Sequence, residues 1–164
     1  MGGDSVRPED DSPRIQFRLE DLVVNKFSFD KRPEHTNFEQ GGYALRHGFT
    51  AAAEENLILV KVAATLQSAL ESSDEAENNT ADVGSASVTG SFEVRNLEEM
   101  EGPDGDIQLP DDFIANLLGI VLSSVRGVLL AHGSGTPAED HPLPIINPLR
   151  LVKSTDYVEH EEGL

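Results

Sequence analysis

The chain has 164 residues at 17.8 kDa, the length of one ordinary domain. Thirty acids against twelve bases leave a formal charge of −18 and a pI near 4.4, which disfavours nucleic acid and anionic membrane surfaces as partners. The absence of cysteine excludes disulfide stapling, a thiolate nucleophile and a zinc ribbon, and fits a reducing, cytoplasmic setting.

Residues 1–13 mix Gly, Pro, Ser, Asp and Glu and predict a disordered acidic arm with no secretory signal. From Ile15 the pattern turns to period 2: Ile15, Phe17 and Leu19 alternate with Gln16 and Arg18. Alternation resumes out of phase as Val23, Asn25, Phe27 and Phe29, so a strand kinked by a bulge is expected over about 15–30. Lys31 to Gln40 predicts a loop, Tyr43 to Ala53 an edge strand, and Glu54 to Asn56 a tight connection. In Leu57 to Leu70 the better core face is Ile58, Val60, Val62 and Ala64; its second half fits helix as well as strand. After an acidic connection over Glu71 to Asp82, Ala86, Val88, Gly90, Phe92 and Val94 share one face of a strand with one wet side.

Pro110, Asp111 and Asp112 form a helix start, and Gly133 its stop. Phe113 to Ala131 is apolar enough for a membrane span, but Arg126 would cost about 2.5–3.5 kcal/mol near a bilayer centre, so a buried helix without membrane insertion is expected. Gly119, Ser123 and Gly127 form a stripe of small side chains, expected to pack across a subunit boundary. A proline-punctuated, extended arm and an acidic tail over 153–164 follow. The predicted fold is α+β: a four-stranded antiparallel sheet packed by a long helix, in one domain over 14–152 with an extended Pro-rich C-terminal arm. One helix on four strands leaves apolar surface over, which predicts an oligomer.

No catalytic constellation emerges. His132, Ser134 and Asp140 lack the strand-turn-helix setting of a nucleophile elbow, and the five histidines show no i, i+4 pair. Asp104 and Asp106 lack the closing acid of a calcium loop, since Ala115 holds its twelfth position. No phosphate-binding glycine motif is present. A protein that is not an enzyme, with no metal and no cofactor, is expected. The acidity fits a basic partner peptide; eight Arg against four Lys fits high-salt adaptation equally.

Four segments in order resemble the SecB export chaperones: Ile15 to Asp30, Ser91 to Asn96, Asn116 to Gly133, and His141 to Leu149. The resemblance spans about 15–152. It implies an ATP-independent holdase, a homotetramer built as a dimer of dimers, that keeps unfolded precursors for the translocase motor SecA. Asp30 and Glu93 match the family's acidic positions that dock the basic SecA tail. Lys26 stands where the family has an acid, and the family's second helix is expected to be short or absent after Val152. SecB-like proteins also serve as chaperones of toxin–antitoxin modules, and a non-chaperone adaptor or assembly protein on the same fold is a further reading. A holdase must keep apolar surface open while charge repulsion prevents aggregation. Leu143, Ile145 and Ile146, spaced by prolines, are the candidates for a client groove.

Overall fold

The structure, a computed structural model, describes residues 14–31, 36–70 and 80–154, with residues 36–41 and 70 described by backbone alone. The predicted arm over 1–13, residues 71–79 of the acidic connection, and all of the predicted tail beyond Ser154 lie outside the described residues.

Four strands, β1 (Phe17–Phe29), β2 (Thr36–Ala52), β3 (Leu57–Leu70) and β4 (Thr80–Val94), form one antiparallel sheet in the order β1-β4-β3-β2. The α+β architecture, with a long helix on a four-stranded antiparallel sheet, is therefore present. β1 and β2 are the edges although they are consecutive in the chain. Asn56 makes the β2–β3 connection possible: its φ of 53° turns the chain back, and its backbone carbonyl accepts from the Val94 N–H at 2.7 Å. Its side-chain Oδ1 also accepts from the Leu97 N–H at 3.1 Å. One residue thus ties the turn to the end of β4.

Residues opposite each other in the register share a face. The inner face carries Ile58, Val60, Val62, Ala64 and Leu66 of β3, each at most 2% exposed, beside Ala86, Val88, Phe92 and Val94 of β4. β3 is strand throughout, because its small and β-branched residues suit a pleat whose inner side is sealed. On β1 the register slips twice, at Glu20 and at Asn25. The inner set is therefore Phe17, Leu19, Leu22, Val24, Phe27 and Phe29, and Val23 turns outward opposite Thr89. The second slip separates Val23 from Phe27, which the sequence pattern had placed on one side.

The long helix α1 (Asp111–His132) begins after Pro110 and ends at Gly133, as expected. It buries Phe113, Leu117, Leu118, Val121, Leu122, Val125 and Leu129 on β3 and β4. Each such side chain contributes about 1.5–3 kcal/mol on burial, which is why this apolar helix sits on the sheet. Gly90 marks the closest approach: a Cβ there would meet Val121 Cγ2 at 2.7 Å.

The C-terminal arm departs from a continuous extended segment. It holds two short helices, α2 (Pro137–Asp140) and α3 (Pro148–Lys153), around an irregular stretch over 141–147. Thr136 and Asn147 cap them, each side-chain oxygen accepting from the N–H two residues on, with Pro in the first helical position. Arg126 clasps the stretch to α1, its Nε and Nη2 donating to the Leu143 and Pro144 carbonyls at 3.3 and 2.9 Å. On the other side, the Tyr43 hydroxyl donates to the His141 carbonyl at 2.7 Å.

Candidate functional site

α1 covers the centre of the inner face and leaves its margins open. It meets β1 at two places. At one end Phe113 packs edge-on against Phe17, with ring centroids 5.5 Å apart; at the other, His132 lies 5.6 Å from Phe27. Between these contacts Leu19, Leu22 and Val24 point to the core side yet remain 39%, 39% and 50% exposed. Phe17 itself is 39% exposed. The result is an apolar strip beside α1, bounded by aromatic contacts and lying on an edge strand. Across α1, Phe49 of β2 is also exposed, and His47 beside it is half-buried. Burial holds the His47 imidazole pKa below its ordinary value.

The outer face has different chemistry. From β1 to β2 its rows read Arg18, Glu93, Leu57 and Ala52; then Asp21, Ser91, Leu59 and Thr50; then Val23, Thr89, Lys61 and Gly48; then Lys26, Ser87, Ala63 and Arg46. Acids gather at one end, where the Arg18 guanidinium pairs with Glu20 at 2.5 Å and Glu93 at 2.8 Å. The hydrogen bond to Glu20, then the Glu20 and Glu93 charges, push the Arg18 pKa above its ordinary value. Gln16, Phe17, Arg18, Glu93 and Arg95 line an open cavity of about 250 Å³ there.

The residues expected to bind partners fall in separate places. Glu93 is engaged by Arg18. Asp30, whose N–H donates to the Val83 carbonyl, lies ten residues along β4, or about 30 Å away. Leu143 is 3% exposed and part of the core, Ile146 is half-buried against that core, and Ile145 is 95% exposed, so the three form no common wall. Gly119 faces Pro148 of the same chain, 3.2 Å from where its Cβ would stand. Ser123 and Gly127 are exposed, and the Ser123 hydroxyl donates to the Gly119 carbonyl at 2.8 Å. Among the described residues no group of three or more His, Asp or Glu is placed to hold a metal ion. The apolar strip on β1 is not legible in the sequence, because the slip at Glu20 sets Leu22 and Val24, rather than Val23, on the side of Leu19, and because exposure depends on where α1 stops.

No protein-family model matches the chain, and no curated protein does. Among solved structures, a Streptococcus agalactiae protein of unknown function is similar at a TM-score of 0.44 and 14% identity, over 81% of this chain and 98% of that one. The Mycobacterium tuberculosis Rv1957 SecB-like chaperone, in complex with a ChAD peptide from the Rv1956 HigA1 antitoxin, is a distant match at a TM-score of 0.29 and 13% identity. That match covers 65% of this chain and 83% of the other.

Proposed function

We propose that this protein is a holdase: it binds non-native polypeptides through open apolar surface and performs no turnover chemistry. The carrying observation is the strip of Leu19, Leu22 and Val24, core-facing by register yet 39–50% exposed beside α1. Apolar side chains continuous with a core and open to water mark a site for another polypeptide. Its edge-strand backbone adds unpaired hydrogen-bonding groups suited to an extended client. The four sequence segments that resemble SecB support the same reading.

Magnitude argues for assembly. Sealing the exposed halves of Phe17, Leu19, Leu22 and Val24 is worth about 4 kcal/mol. Association costs roughly 4–15 kcal/mol in lost freedom, so one strip alone holds a client weakly. A homotetramer, by joining strips, raises the effective concentration of the second and third contacts. The net charge of −18 keeps such open particles apart. Service to a SecA-type motor is a finer reading, and it requires Glu93 to release Arg18 for a basic tail. Service to an antitoxin is the other.

The test is light scattering of an aggregating, chemically unfolded client with and without the full chain, in parallel with native mass. A holdase suppresses scattering without nucleotide and runs near four times the chain mass. A monomer that leaves the client to aggregate refutes the proposal, and an oligomer that binds folded and unfolded chains alike points to an adaptor.

A further inference from the structure

Lys26, Lys61 and Arg46 come from three strands, yet the register brings them together on the outer face. Lys26 stands opposite Ser87, which stands opposite Ala63, which stands opposite Arg46; Lys61 lies in the adjoining row, opposite Thr89 and Gly48. Strands about 4.8 Å apart put the three bases within roughly 15 Å of one another. Lys26 and Arg46 are exposed and Lys61 half-buried, and none of the three forms an ion pair among the described residues. Between them lie Ala63, Gly48, Thr89 and the buried Ser87; Val23 and Asn25 of β1 border the patch, and the Thr89 hydroxyl donates to Asn25 Oδ1 at 2.7 Å. The bracketing acids are at the two ends: Asp21 opposite Ser91, and Asp82 opposite Gln67, whose Nε2 donates to its Oδ1.

In a chain of −18 with twelve bases, three unneutralised cations on one flat patch are a concentration of the rarer charge. We infer that this patch docks a short, extended acidic peptide of a partner protein, one bearing carboxylates at alternate positions. An extended strand places residues i, i+2 and i+4 on one side over about 13 Å, which matches the span of the three bases. The small residues between the cations, Ala63, Ser87 and Gly48, let a backbone lie close. A nucleic acid would run beyond the patch onto the acidic remainder of the molecule, where it is repelled. A second copy of the chain would have to bring its own surplus of negative charge to the same surface. At physiological ionic strength charges more than about 8 Å apart are largely screened, so a short acidic peptide responds mainly to the patch beneath it.

This inference stands apart from the holdase reading, since it uses the opposite side of the sheet. It is tested on the full chain by fluorescence anisotropy with a fluorescein-labelled nonapeptide, Gly-Ser-Glu-Thr-Glu-Thr-Glu-Ser-Gly. Its three-Gln counterpart and a nine-nucleotide thymidine strand serve as comparisons. The acidic peptide is expected to bind, the Gln peptide to bind at least tenfold more weakly, and the oligonucleotide not to bind. Lys26→Gln, Arg46→Gln and Lys61→Gln should each weaken binding about two- to fivefold, with the triple variant losing it. Thr89→Glu, which sets a carboxylate among the cations without removing any, should abolish binding by itself; circular dichroism confirms that each variant is folded. Equal binding of the Gln peptide, binding of the oligonucleotide, or undiminished binding by the folded triple variant overturns the inference. So does a fall in native mass of the triple variant, which would give the surface to a second copy of the chain.

Discussion

The apolar strip can be weighed by truncating it. Leu22 and Val24 are 39% and 50% exposed, so the share of each left to be sealed by a client is worth about 1 kcal/mol. Leu22→Ser with Val24→Ser should therefore weaken client holding by about 2 kcal/mol, or about 30-fold. The buried shares of the same side chains are also lost, at a folding cost of about 2 kcal/mol, which a domain of ordinary stability survives. Val23→Ser supplies the control. Val23 is 45% exposed on the same strand but faces outward opposite Thr89, so its loss should leave client holding unchanged. The assay is the chain concentration that halves client light scattering, measured with the urea midpoint and the native mass of each variant. If the double variant protects as well as the parent, or Val23→Ser impairs protection equally, the strip is not the client surface.

Three further outcomes follow from single contacts. Arg126→Ala removes both bonds to the Leu143 and Pro144 carbonyls and should cost about 1–3 kcal/mol. Hydrogen exchange should then quicken first over 141–147; unchanged exchange there would dismiss the clasp. Asn56→Ala loses the bond to the Leu97 N–H and places a Cβ residue less suited to φ 53°, for about 2–3 kcal/mol by urea denaturation. Asn56→Gly, which relieves the backbone but not the lost bond, should recover part of that. For His47, burial lowers the folded-state pKa, so the unfolded chain takes up the proton first. Its contribution is full above about pH 6.5 and is lost as pH falls from there through the folded value. The urea midpoint of the parent should thus fall, relative to His47→Gln, between pH 7.5 and pH 5; a constant gap would show that His47 is not titrating in the fold.

What could be read in advance was whatever lies in one stretch of chain. The helix bounds follow from Pro110 with two acids and from Gly133, signals that act within a turn. The core faces of β3 and β4 follow from unbroken alternation. The start of β2 at Thr36 falls within a predicted loop, because Lys31 to Gln40 is polar and its register slips before Gly42, so it carries no two-residue rhythm. The Thr136-Pro137 and Asn147-Pro148 starts were in the sequence too, but prolines so close together suggested continuous extension. The basic patch could not be read in this way. Its members are 20 and 15 residues apart, and only the register of three strands makes them neighbours.

The two slips in β1 are what allow both surfaces to exist. Without the slip at Asn25, two-residue alternation from Leu22 and Val24 would carry Lys26 to the inner side and turn Phe27 and Phe29 outward. The apolar strip would then contain a charge, the aromatic contact with His132 would be lost, and the outer patch would lack one of its three cations. Without the slip at Glu20, Asp21 would follow Phe17 and Leu19 inward and place a carboxylate in the same strip. An edge strand is free to accept such irregularities because only one of its sides is hydrogen-bonded within the sheet. The same slips shorten the regular part of this edge between them to residues 21–24, which limits indiscriminate pairing with other strands. β1 thus divides an apolar and charged sequence into an apolar inner margin and a polar outer face.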